Sequence, residues 1–185
     1  MASQPRTRLA LDERRAQLLA IGLELFSSRS YDEISIDDIA AAAGVSKGLL
    51  YHYFPTKRDF YVAGLRAAAA ELSALTEPDL SLAPPERLRH SLSAYLDYVE
   101  HHAIGYRSLM RGGIGSDAEV RSILEATRSG TEARVLEGMG IDEPSQAVRL
   151  ALRGWLAFVE EASLEWLDRR EPARDDLHEG RRWRP

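Results

Sequence analysis

The chain has 185 residues, 44% of them hydrophobic and 29% charged, which suits a packed core and excludes a disordered chain. It lacks cysteine, which excludes a disulfide scaffold, a thiolate metal site and a cysteine nucleophile, and it has no apolar run of about eighteen residues that could span a membrane. The net charge of −5 argues against a basic nucleic-acid-binding surface, but residues 1–64 hold eight Lys/Arg against eight Asp/Glu, so the whole excess lies in 65–185.

Arg6, Arg8, Arg14 and Arg15 precede no apolar segment of the kind a secretory signal needs, and a cytoplasmic protein is expected. Asp12 is placed to cap a first helix, whose stripe is Leu18, Ile21, Gly22, Leu25 and Phe26. Ser35 and Asp38 have capping-box spacing for a second helix that stops at Gly44. Ser46 caps a third, ended by Pro55, and a fourth runs over 57–75. The prolines of 76–86 mark the clearest break. Further helices carry Leu88 to Ala103, then Tyr106 to Met110, with GGIG at 112–115 as a stop. Ser116 and Glu119 form a capping box for a helix through Val120, Ile123, Leu124 and Thr127. Asp142-Glu143-Pro144 opens a long last helix whose apolar sector is wide enough to be buried on two sides. No alternating strand pattern is present, so the expected class is all-α.

The informative stretch is 35–57, where two short helices flank Gly44 and a three-residue turn. This is the spacing of a helix-turn-helix: one helix braces and the second enters the major groove. The second helix is expected to expose Ser46, Lys47, Gly48, Leu49, Tyr51 and His52 while Leu50 and Phe54 point inward. Lysine, tyrosine and histidine on one wet face suit phosphates and base edges.

Leu23–Phe26, Tyr31-Asp32, Ile39-Ala40, AAGVSKG at 42–48, LYHYF at 50–54 and Lys57 together resemble the TetR family of bacterial transcriptional regulators. The resemblance covers about the first sixty residues in motif; beyond them only length, helix count and a long apolar helix agree. It implies a homodimer in which a three-helix DNA-binding head, 1–56, precedes a helical ligand-binding and dimerisation body, 57–185, with 57–75 joining them. It implies phosphate contacts from Ser35, Tyr51 and Lys57, and groove-facing roles for Ser46, Lys47, Gly48 and His52. Many members have a small hydroxyl residue where this chain has Leu49, so a contact there becomes apolar, for example to a thymine methyl. Many have glycine where Ser30 stands, so the turn before Tyr31 differs slightly. The implied partners are a near-palindromic double-stranded operator and a small-molecule effector whose binding releases the DNA, which makes the chain a repressor.

Tyr95, Leu96, Tyr98, Tyr106, Met110, Trp155, Phe158 and Ala162 are candidates for an apolar effector cavity with polar tips, or for bundle core. Leu152, Leu156, Ser163 and Leu167 form a second stripe on the last long helix, expected to pair two chains. Residues 173–179 are expected to form a short helix and 180–185 a loose tail. No metal, cofactor or catalytic role is expected: His101 and His102 point about 100° apart on a helix, GGIG follows a helix and lacks the lysine of a phosphate loop, and Glu160-Glu161 reads as a solvated or pocket-rim pair. The alternative is a helical protein that binds a small molecule or a partner without controlling DNA, which the negative charge favours and the motif opposes.

Overall fold

The computed structural model describes residues 4–171, with side chains from Asp12 onward, so the expected helix at 173–179 and tail at 180–185 lie outside the described residues. Among these residues eight α-helices occur: α1 (Gln4–Ser28), α2 (Ile36–Ala42), α3 (Lys47–Tyr53), α4 (Lys57–Leu75), α5 (Pro84–His101), α6 (Ala103–Arg111), α7 (Ala118–Gly138) and α8 (Gln146–Arg169). A single 3-10 turn, Gly113–Ser116, separates α6 from α7. No strand is present among them, and none of the helices is long and apolar enough to cross a membrane. The all-α expectation holds.

Two helix starts differ from expectation. Asp12 lies inside α1, because the helix begins at Gln4 with Pro5 in its first turn, where a missing N–H costs nothing. The cap of α7 is Asp117, whose carboxylate accepts from the N–H groups of Glu119 and Val120; Ser116 instead donates to the Gly113 carbonyl. Aspartate one residue closer to the apolar run takes the cap, and Glu119 is freed for other partners.

The chain divides into two compact units. One takes the residues up to Ala70 together with Ile104–Ile123; the other takes Glu71–Ala103 and the residues from Leu124 on. A single cut between 56 and 57 therefore does not describe the packing. α4 and α7 each contribute to both units.

The first unit is built on Leu18, Phe26, Ile34, Ile39, Leu50, Phe54, Phe60, Tyr61 and Val120, all buried. Its aromatic rings interlock: Phe26 meets Tyr61 edge-on at 5.0 Å and Phe54 meets Phe60 edge-on at 4.8 Å. Gly22 lets Phe60 lie directly on α1, since a Cβ there would stand 2.2 Å from Phe60 Cε1. α6 reaches the same unit at Ser108, whose hydroxyl accepts from Tyr31 N–H at 3.4 Å.

The second unit buries Val99, Leu136, Leu164, Trp166 and Leu167. Ion pairs tie α7 to α8: Arg128 binds Glu160 at 2.8 Å, and Arg153 reaches Glu125 at 2.6 Å and the buried Glu132 at 3.3 Å. Glu160, read as solvated or pocket-rim, pairs with Arg128. Arg134 joins α7 to the end of α4 through the Ser73 hydroxyl. α8 closes on Arg170 in the left-handed region, with its guanidinium over the Trp166 ring.

Candidate nucleic-acid interface

Short helices need strong ends, and α2 and α3 have them. Ser35 Oγ accepts from Asp38 N–H at 3.1 Å while the Asp38 carboxylate accepts from Ser35 N–H at 2.7 Å, which completes the expected capping box. At the other end of α2, Val45 N–H donates to the Ala40 carbonyl and Gly44 N–H to the Ala41 carbonyl. These are the paired bonds of a Schellman turn, and they require the left-handed backbone that Gly44 adopts at φ 62°. The turn redirects the chain so that Ser46, its hydroxyl accepting from Leu49 N–H at 3.2 Å, caps α3 at once.

Leu50 and Phe54 are fully buried and anchor α3 from below. Ser46, Lys47, Gly48, Leu49, Tyr51 and His52 are all exposed, which is the expected division of this helix, and Tyr53 is half-buried between the two sets. Ser35 is exposed next to them at the start of α2. Its hydroxyl also donates to Asp38 Oδ2 at 2.6 Å.

The two lysines have partners that sequence reasoning did not anticipate. Lys47 Nζ donates to Asp37 Oδ2 at 2.9 Å, and this hydrogen bond raises the lysine's pKa. Lys57, the first residue of α4, holds its ammonium 4.0 Å above the Tyr31 ring. Tyr31 in turn packs edge-on against Tyr61 at 4.8 Å, and burial pushes the Tyr61 hydroxyl up to about 12. Lys57 is therefore held over an aromatic shelf.

Beside it lies a cluster that the sequence did not reveal. Arg58 donates to both carboxylate oxygens of Asp117 at 2.7 Å and to Glu119 at 3.1 Å, and Arg66 binds the other Glu119 oxygen at 2.7 Å. The Arg58 guanidinium holds the Asp117 carboxyl well below its ordinary range, and Asp117 raises the arginine. The pairing crosses about sixty residues of chain, so no local spacing signals it.

The effector candidates divide between the units. Tyr106 and Met110 lie on α6 in the first; Tyr95, Leu96, Tyr98, Trp155, Phe158 and Ala162 lie in the second. Tyr95, Leu96, Tyr98, Tyr106, Met110 and Trp155 are half-buried. Burial pushes the Tyr98 hydroxyl up to about 12. Phe158 and Ala162 differ: both are exposed, and Phe158 retains 68% of its surface.

The expected pairing stripe also needs correction. Ser163 and Leu167 keep only 3% and 2% of their surface and belong to the chain's own core, so they have no surface left to offer a second chain. Leu152 and Leu156 are half-buried beside them. Leu152, Leu156, Ser163 and Leu167 share one broad inner face with Val148, Trp155 and Val159, whereas Phe158 and Ala162 are exposed. The outward face of α8 is made of Ala147, Leu150, Ala151, Gly154, Ala157 and Phe158, all exposed, with Leu150 at 75%.

Residues 18–63 match the family described as bacterial regulatory proteins, tetR family, and residues 84–181 match the tetracyclin repressor-like C-terminal domain. The chain is 32% identical over 174 residues to the HTH-type transcriptional activator FasR of Mycolicibacterium smegmatis, covering 91% of this chain and 79% of FasR. It is 29% identical over 166 residues to the transcriptional regulator AcuR of Cereibacter sphaeroides, covering 80% of this chain and 75% of AcuR. The crystal structure of a tetR-family transcriptional regulator from Streptomyces coelicolor superposes with a TM-score of 0.85 at 36% identity, covering 90% of this chain and 76% of that one. Head and body both match, and the recognition helix stands exposed on its buried anchors: the chain belongs to the TetR family of transcriptional regulators, which act by binding DNA and not by catalysis.

Proposed function

We propose that the protein is a cytoplasmic homodimeric repressor that occupies a near-palindromic operator and leaves it when a small molecule binds the helical body. The observation that carries this reading is α3, where six consecutive or near-consecutive positions are exposed on a helix fixed by Leu50 and Phe54. Two such helices in successive major grooves stand ~34–36 Å apart. Ser46, Lys47, Gly48 and His52 face the groove, with an apolar contact from Leu49; Ser35, Tyr51 and Lys57 contact phosphate.

The second chain is proposed to pack on the outward face of α8. Leu150 and Phe158 flank the small residues Ala147, Ala151, Gly154 and Ala157, which permit close helix approach. An apolar face of this length on a long helix is the kind that soluble proteins bury. Effector binding is proposed around Tyr95, Leu96, Tyr98 and Trp155, and its effect reaches the head through α4, which contributes residues to both compact units. A ligand shifts DNA binding only by its different affinity for the bound and released states.

A second reading has its own support: FasR, 32% identical, is named an activator. An electrophoretic mobility shift with the DNA flanking the coding gene, at two salt concentrations, tests operator binding. A transcriptional reporter with and without the protein separates the two signs: lower output in its presence supports repression, higher output supports activation. Leu96→Trp, which fills the proposed cavity, should blunt the response to small molecules recovered from the purified protein; an unaltered response rejects that placement.

A further inference from the structure

The ion pair between Asp37 and Lys47 joins the two helices of the helix-turn-helix. Asp37 sits in the first turn of α2 and Lys47 is the first residue of α3. The two acidic residues of that first turn have different work. Asp38 is consumed by the Ser35 cap and stands 3.5 Å from Arg29. Asp37 takes no part in the cap and carries Lys47 Nζ at 2.9 Å, with side-chain exposures of 70% for the aspartate and 48% for the lysine.

An acidic group on the face that meets DNA is costly in a phosphate-binding surface, since it repels the backbone that Lys47 would otherwise reach. What it provides is direction. A lysine ammonium has three donors and a flexible four-carbon stem, so an untethered Lys47 can find a phosphate on any sequence. With one donor held by Asp37, two remain, and the ammonium stays at the N-terminal end of α3, one turn before Tyr51. Two donors fit the acceptor pair N7 and O6 on a guanine edge, the commonest partner of a basic side chain in the major groove.

We propose that Asp37 is a specificity-setting residue: it tethers Lys47 so that the ammonium reads a base edge, guanine by its chemistry, instead of binding backbone phosphate indiscriminately. This rests on the groove-facing role of Lys47. Asp37 touches no DNA in this scheme; it positions the residue that does.

The test is a double-mutant cycle on the full-length protein, with two probes: a duplex that the wild-type chain selects from a random pool, and a scrambled duplex of the same composition. Asp37→Asn should raise affinity for the scrambled duplex by about threefold, the worth of an exposed ion pair, and steepen its salt slope by about one. Affinity for the selected duplex should change less, so the ratio of the two falls. In a Lys47→Met background the same substitution should leave both the ratio and the slope unaltered. Equal gains on both duplexes, or the same gain with Lys47→Met, would mean that Asp37 acts only as a general negative charge and would overturn the tether. If Lys47→Met weakens the selected complex while Asp37→Asn changes nothing, the tether alone fails. If Lys47→Met leaves the selected complex unweakened, the groove role fails and the inference with it.

Discussion

Arg58 and Asp117 form a bidentate pair, both contacts at 2.7 Å, in which the same carboxylate that accepts the guanidinium also caps the first turn of α7. One aspartate therefore fixes where a helix starts and what it is attached to. Asp117→Asn keeps a capping side chain but loses the charge, whereas Asp117→Ala loses both. Thermal unfolding should rank wild type above Asp117→Asn and Asp117→Ala lowest. Equal melting temperatures for the two variants would show that the cap contributes nothing.

The same pair predicts an acid limb. In the folded chain the Asp117 carboxyl lies below its ordinary value of 3.8, held there chiefly by its hydrogen bonds to Arg58. Its contribution is complete above that ordinary value and is lost as pH falls through the depressed folded value. Urea unfolding at a series of acidic pH values should show wild type losing stability more steeply than Asp117→Asn, with the two curves converging in strong acid. Parallel curves would remove the assignment.

Lys57 offers a simpler test of the head. If its ammonium, poised over Tyr31, contacts a phosphate, Lys57→Ala weakens binding to every sequence alike and lowers the salt slope by about one. A mobility-shift titration over several salt concentrations reads both quantities. An unchanged slope assigns Lys57 to packing on the ring alone.

Gly22 has no room for a side chain, because Phe60 occupies the space where a Cβ would stand. Gly22→Ala should destabilise the protein by about 1–3 kcal/mol, the usual cost of overpacking. Pairing it with Phe60→Leu, which clears the site, should recover part of the loss relative to the sum of the single changes. Strict additivity in denaturant unfolding would place the strain elsewhere.

On α8, substitutions on the two faces should separate assembly from folding. Phe158→Arg, on the exposed face, should give a folded protein that sediments as a monomer. Leu167→Ala, in the core, should cost about 2–5 kcal/mol of stability without altering the subunit count. Sedimentation velocity decides: a Phe158→Arg protein that remains dimeric pairs through another surface.

Much of the head was legible because its determinants are local. Ser35 with Asp38, Gly44, and Leu50 with Phe54 each act within a few residues, and their spacing alone carries the helix-turn-helix. The body was harder. On α8 the large apolar residues suggested an effector set with Trp155, Phe158 and Ala162 and a pairing stripe of Leu152, Leu156, Ser163 and Leu167; the stripe and Trp155 turn inward while Phe158 and Ala162 are exposed, and the alanines and Gly154 that mark the outer face carry almost no hydrophobic signal. The partners of Lys47, Lys57 and Arg58 come from other elements, and a charged side chain does not announce in sequence which distant group will meet it.

Because Ile104–Ile123 packs with the head, the head is not finished when its helix-turn-helix has been made. A nascent chain that has left the ribosome as far as Ala70 holds every groove-facing side chain but not Leu109, Val120 or Ile123, which are buried in the completed protein. Folding of the DNA-binding end is therefore completed only when α5, α6 and the first turns of α7 have emerged, although domains usually close in the order of their synthesis. A message truncated between these points yields a fragment with reading residues and an open apolar core, a substrate for proteases before it is a competitor for the operator.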